Sequence, residues 1–278
     1  MRVRFWGTRG SLAAPGPATV HFGGNTSCVE VRGESGQILI LDGGTGIRPL
    51  GRAIGPELRE IHILLTHLHM DHIQGLGFFA PFFRPGAAIH IWGPPSPHEH
   101  LQERLSRYLS NPLFPVGLRD LPGVVAVHSF LDDTVEIGGF RVRAAPILHP
   151  GSMVGYRIEE GKASLAYLSD HEPALGSGTV PKDAEWTSGA GLAEGVDLLV
   201  HDGQYTDEEY PLHAGWGHSS TTHAVDFARL VGAKRLALYH HDPGHTDHQV
   251  AAIEARGRAL AGDDFDVEAA AEGEVIVL

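Results

Sequence analysis

The chain has 278 residues, 42% of them hydrophobic, and a formal net charge of −13 with its 19 histidines counted as neutral. So acidic a chain excludes a general nucleic-acid binder, which needs a basic field to displace phosphate counterions, but it leaves room for a small anionic substrate held by metal ions. The single cysteine, Cys28, excludes an internal disulfide. No apolar run is long enough to span a bilayer, and the chain opens directly on a strand pattern, so a cytoplasmic protein is expected.

Residues 2–6, 27–33 and 37–42 read as strands separated by Gly-rich turns, with Cys28 as a small buried residue within one of them. A short helix is expected at about 46–54, and Ile61-His62-Ile63-Leu64-Leu65 is a short buried strand. Ala88–Trp92 forms another strand, and Pro97–Leu109 has helical periodicity with Leu101, Leu105, Tyr108 and Leu109 on one face. Strands are expected at 134–144, 153–159 and 163–169, the last two joined by a Glu-Glu-Gly-Lys turn. Val196–Asp202 is a buried strand ending in polar groups, and Ser219 or Ser220 caps a helix running to about 231. A strand at 235–240, a helix at 247–261 and a strand at 273–278 close the chain. With no linker or low-complexity tract, residues 1–278 read as one domain of α/β class. Two similar halves would pack as a four-layer αββα sandwich, with an insertion at about 78–120 that contains Phe78, Phe79, Phe82 and Phe83. Those aromatics would line ordinary core, cover a site or form the face of a homodimer.

The densest chemistry lies where the strand before residue 66 turns into a helix. Within residues 67–72 stand His67, His69, Asp71 and His72. His67 and His69, two apart at a strand end, share a side, while Asp71 and His72 face a second point on the following turn. Imidazoles with one carboxylate suit zinc, manganese or iron rather than calcium or magnesium.

Thr66-His67-Leu68-His69-Met70-Asp71-His72 resembles the HxHxDH signature of the metallo-β-lactamase fold superfamily. The resemblance implies further metal ligands at later strand ends, and His149, Asp170 and His240 stand in the expected order. It implies two divalent transition metal ions (Zn, Mn or Fe). His67, His69 and His149 would hold one and Asp71, His72 and His240 the other, with Asp170 between them and a hydroxide shared by the two ions. Asp71 would also orient the attacking water, and Asp42 in the Asp-Gly turn would brace a ligand loop. His240 and His241 are adjacent, and on a strand they point to opposite sides. Only one can be a ligand: Leu238-Tyr239-His240 matches the pattern of ribonuclease Z-like members better, and His241 remains the alternative.

The segments Gly7-Thr8-Arg9-Gly10-Ser11, Gly24-Asn25-Thr26-Ser27 and His240-His241-Asp242-Pro243 resemble a branch akin to the ribonuclease Z and phosphoribosyl cyclic phosphodiesterase groups. Ribonuclease Z-like proteins use a glutamate to orient a histidine that protonates the leaving oxygen; the matching residues here are Asp202 and His218. The basic arm with which ribonuclease Z grips transfer RNA is not found. The function implied is a dinuclear metal-dependent hydrolase acting on small or cyclic phosphodiesters. Two alternatives stand beside it: hydrolysis of a lactam, lactone or thioester, which the metal ligands alone permit, and a non-enzymatic metal-dependent sensor. A flavodiiron-type redox role would need a carboxylate near His69 and a flavodoxin domain, and neither is evident.

Overall fold

The computed structural model describes residues 1–131, 133–173, 176 and 178–278. In chain order the first half comprises β1 (Arg2–Gly7), β2 (Cys28–Arg32), β3 (Ile38–Leu41), α1 (Ile47–Ala53), β4 (Glu60–Leu64), α2 (Met70–Ile73), β5 (Ala88–Gly93), α3 (Leu101–Tyr108) and β6 (Val124–Ser129). The second half comprises β7 (Asp133–Ile137), β8 (Phe140–Pro146), β9 (Val154–Glu160), β10 (Ala163–Leu168), α4 (Ala190–Ala193), β11 (Leu198–Asp202), α5 (Tyr210–His213), α6 (Thr221–Val231), β12 (Arg235–Tyr239), α7 (Asp247–Ala261), β13 (Asp266–Ala269) and β14 (Val275–Val277).

Two seven-stranded sheets result, ordered β14-β1-β2-β3-β4-β5-β6 and β13-β12-β11-β10-β9-β8-β7. In each, one half is antiparallel and the strands from β3 to β6, or from β10 to β13, run parallel. The sandwich follows from period-two alternation in strands that are apolar on both faces. Leu39 and Leu41 point into the layer between the sheets, against Tyr156, Tyr167 and Val200. Ile38 and Ile40, one residue out of step, face Ile47, Leu50 and Leu105 on the helix side. The second sheet repeats the scheme, with Leu198 and Val200 inward and Leu199 against Ala224, Phe227 and Ile253. Leu198 is fully buried between the sheets. Leu198→Ala is therefore expected to cost about 2–5 kcal/mol, read as a lowered urea midpoint with the fold otherwise kept.

Several elements depart from the sequence reading. The single strand expected at 134–144 is a hairpin, because Gly138 (φ 56°) and Gly139 (φ 84°) take left-handed conformations that reverse the chain and pair Ile137 with Phe140. The edge strand β6 was not anticipated, since most of its side chains are only half-buried and carry no clean alternation. Nor was β13, whose Asp266 and Glu268 are poor strand formers. Because β8 ends at Pro146, His149 lies in the loop beyond it and not at a strand end. The stretch 78–120 contributes β5 to the first sheet. There, Phe79 and Phe82 belong to the helix-side core, whereas Phe78 and Phe83 are exposed. Among the described residues, no helix is long and apolar enough to cross a membrane.

Candidate metal centre

The carboxyl ends of the parallel strands of both sheets converge on one place, where open α/β sheets ordinarily bind ligands. Thr66–His69 follow β4, Asp170 follows β10, Asp202 ends β11 and His240 follows β12. Four overlapping ligand-atom groups form there among the described residues: His67, His69 and His149; Asp71, His72, Asp170 and His240; His149, Asp170 and His218; and Asp202, His218 and His240, each with all its atoms within 4.8 Å of one another. Asp170 stands between the first two. Its Oδ2 is 3.1 Å from His240 Nε2, 3.8 Å from His67 Nε2 and 4.0 Å from His149 Nε2, and its Oδ1 is 3.2 Å from His72 Nε2.

The imidazoles of His67, His72, His149 and His240 are each aimed by a bond at the nitrogen that faces away from the cluster, as ligating histidines usually are. His72 Nδ1 lies 2.8 Å from Asp42 Oδ2, which leaves Nε2 for the cluster. Asp42 itself adopts a strained left-handed backbone (φ 61°) and also accepts bonds from the Thr66 amide and the Tyr167 hydroxyl. His67 Nδ1 meets the Thr66 hydroxyl at 3.0 Å, and His149 Nδ1 donates to the Gly217 carbonyl at 2.9 Å. Gly217 has φ 93°, and a Cβ there would sit 2.4 Å from His149 Nδ1, so only glycine permits this approach.

The two adjacent histidines part company. His240 has φ 61°, which turns its ring out of strand geometry and into the cluster, 3.1 Å from Asp71 Oδ2 and 3.3 Å from His72 Nε2. His241 faces away and donates from Nε2 to the Ala270 carbonyl at 2.9 Å; burial pushes its pKa down to about 3. Two side chains that the sequence reading did not single out, Gln204 and Glu172, support this arrangement together with the backbone of Ser11, which lies in a Gly-rich turn that the sequence did mark. Gln204 Oε1 meets His240 Nδ1 at 2.9 Å, the Ser11 amide donates to Asp71 Oδ2 at 2.7 Å, and the Glu172 carboxylate accepts from the Gly217 amide at 2.8 Å. Gln204, two residues past Asp202 at the strand end, had a signal in the sequence; Glu172 had none beyond following Asp170.

Beside the cluster, His218 Nδ1 is 2.7 Å from Asp202 Oδ2, and the His218 ring stacks on His240 at 5.0 Å and meets the His149 ring edge at 5.1 Å. Asp202 Oδ1 accepts from the amides of Gln204 and Ser219, which fixes the carboxylate. Burial pulls the His218 pKa down, but the charge and hydrogen bond of Asp202 outweigh it and hold it up at about 9. Ser220, not Ser219, caps α6, accepting from the His223 amide. Ser219 instead donates from its hydroxyl to the His171 carbonyl.

The cluster fits a cation. His67 Nε2 is buried without a hydrogen-bond partner, a costly condition unless something else meets it. Burial works against charge on His72, yet Asp170, Asp71 and Asp42 together hold its pKa well above the ordinary value. Burial and the neighbouring His72 hold that of His67 well below. Converging carboxylates around imidazole lone pairs suit a divalent metal ion.

A four-layer αββα sandwich with this His/Asp cluster at its strand ends defines a metallo-β-lactamase fold protein. The chain belongs to the family described as the beta-lactamase superfamily domain, whose model matches residues 38–241. It is 27% identical to a ribonuclease Z of Myxococcus xanthus over 96% of this chain and 97% of that one. The metallo-beta-lactamase fold protein YhfI from Bacillus subtilis superimposes with a TM-score of 0.72 at 19% identity, covering 99% of this chain and 98% of its own. A diphosphatase from the PhnP family superimposes with a TM-score of 0.71, also at 19% identity, covering 100% and 97%.

Proposed function

We propose that this metal-dependent hydrolase cleaves small phosphodiesters, cyclic ones included, with His218 as the acid that protonates the leaving oxygen. The observation that carries the reading is the 2.7 Å contact between His218 and Asp202, at the edge of the cluster formed by His67, His69 and His149 with Asp71, His72, Asp170 and His240. His67, His69 and His149 would hold one divalent ion and Asp71, His72 and His240 a second, with Asp170 serving both; zinc, manganese and iron all suit these donors. When bound, such ions bring the pKa of water toward about 7 and offset phosphate charge.

The rest is done by the chain. Asp202 holds the Nδ1 proton of His218, so Nε2 is the atom that delivers a proton toward the site, and the neighbouring carboxylate favours the charged imidazole that an acid requires. Asp71, held by the Ser11 amide, would serve as a ligand and orient the attacking water. The net charge of −13 supports a small substrate over a folded RNA, although the curated relatives carry the name ribonuclease Z.

The test is a panel of bis-nitrophenyl phosphate, cyclic nucleotides, nitrocefin and lactones, assayed with Mn, Zn and Fe. Phosphodiester turnover well above that of the lactam and lactone supports the reading. Preferred cleavage of nitrocefin or a lactone would replace it with hydrolysis of a carboxylic derivative.

The two histidines after β12 give a second check. His240→Ala is expected to remove about one metal equivalent by elemental analysis, through loss of a ligand of the second ion, while His241→Ala keeps both. The opposite pattern would reassign the ligand.

A further inference from the structure

Five segments that carry cluster residues, 10–16, 66–76, 148–156, 202–223 and 240–245, contain no lysine and no arginine, and the first cation after Asp170 is Lys182, twelve residues on. Nearby Arg9 is fully buried, with its guanidinium turned to the carbonyls of Gly23, Asp242 and His245. A site for phosphodiesters would ordinarily carry a cationic side chain for the phosphate. Several exposed side chains beside the cluster residues are apolar: Leu12 after Ser11, Met70 between His69 and Asp71, and Leu148 before His149. Contact with the uncharged part of the substrate would then add to the affinity that metals and His218 supply.

One side chain is built for such contact. Trp216 is 60% exposed, two residues before His218. Its backbone is bolted on both sides by one carboxylate, with the Gly215 amide donating to Glu172 Oε1 and the Gly217 amide to Oε2, both at 2.8 Å. The Tyr210 hydroxyl donates to the same Oε1 at 2.6 Å. The indole meets His213 edge-on at 4.9 Å, His213 stacks on Tyr205 at 4.4 Å, and Tyr205 meets the His218 ring edge at 6.0 Å. An aromatic series thus runs from an exposed indole to the proposed acid. A large aromatic with few rotatable bonds, carried on a fixed backbone, loses little entropy when a ring stacks on it, which favours planar ligands.

We propose that Trp216 is a stacking platform for a planar ring on the leaving alcohol, so that the preferred substrate is a phosphodiester whose leaving oxygen belongs to a nucleoside. This rests on the phosphodiesterase reading above. Glu172 is the positioning residue that holds the platform in register with His218.

The test pairs ligands that differ only in the base and uses the metal-loaded full chain. Hydrolysis of adenosine 2′,3′-cyclic phosphate is compared with that of methyl riboside 2′,3′-cyclic phosphate. Binding of adenosine 5′-monophosphate is compared with that of ribose 5-phosphate by calorimetry. In the wild type the base-bearing member of each pair is expected to be preferred. Trp216→Ala should lower that preference by about ten-fold or more, the scale of base–aromatic stacking, mainly through KM, and Trp216→Phe should lower it less. A preference unchanged by Trp216→Ala, or absent from the wild type, would overturn the platform. If neither cyclic phosphate is cleaved, the phosphodiesterase reading fails on its own. The binding pair then decides the platform: loss of the preference in Trp216→Ala supports it, and equal affinity for the two monophosphates overturns it.

Discussion

Asp170→Ala is expected to empty the metal centre and abolish turnover, the largest effect of any single substitution in the site. Asp170 is almost fully buried and reaches toward His67, His149, His72 and His240 at once. Its loss withdraws a negative charge shared by both ligand groups, from a place where burial leaves little water to substitute for it. Elemental analysis should fall from about two metals per chain to below one. Activity should fall on the order of a thousand-fold or more, the equivalent of several kcal/mol of lost charge stabilisation. A thermal readout separates this from simple misfolding. A chelator should lower the Tm of the wild-type protein, because bound metal stabilises only the folded state, and it should move the Asp170→Ala protein far less. Asp170→Asn, which keeps the volume and removes the charge, should behave similarly. Full occupancy in either variant would sink the shared-ligand assignment.

His218→Ala should keep its metals and still lose about a hundred-fold in the hydrolysis of diesters with poor leaving groups, the usual scale of lost general-acid catalysis. The imidazole stacks on His240 and meets His149 edge-on, and the proposed assignment gives it to neither ion, so metal content should match that of the wild type. The diagnostic is the leaving group. Nitrophenolate departs without a proton, so the defect should shrink markedly with bis-nitrophenyl phosphate. Asp202→Asn should give a similar but smaller defect, since the amide no longer fixes the Nδ1 proton or favours the imidazolium. Equal losses for good and poor leaving groups would remove the acid role. If His218→Ala left phosphodiester cleavage intact while a lactone or lactam proved the better substrate, the carboxylic-derivative reading would take over.

The spacing of His67, His69, Asp71 and His72 after a buried strand was legible from the residues themselves, as was the alternation of strands and helices that suggests two packed halves, because strand ends and periodic apolar runs are local properties. That His149, Asp170, His240, Asp202 and His218 would join them was implied by the resemblance to the metallo-β-lactamase superfamily, not by the spacing. Where local signals conflict or thin out, the reading failed: two consecutive left-handed glycines split an apparent strand at 138–139, and half-exposed β6 carried no alternation. Strand alternation required His240 and His241 to face opposite sides but not which one faced the cluster. That choice lies in the left-handed backbone of His240, imposed by the packing of its surroundings and invisible in propensity. The bracing contacts are of the same kind: Gln204 on His240, the Gly217 carbonyl on His149, and Glu172 beneath Trp216 join residues 36 to 68 positions apart. The amino-acid order by itself determined which donors the chain carries and at which turns they emerge. The tertiary structure alone decided which nitrogen each imidazole presents, because that depends on partners brought together only when the two sheets close on one another.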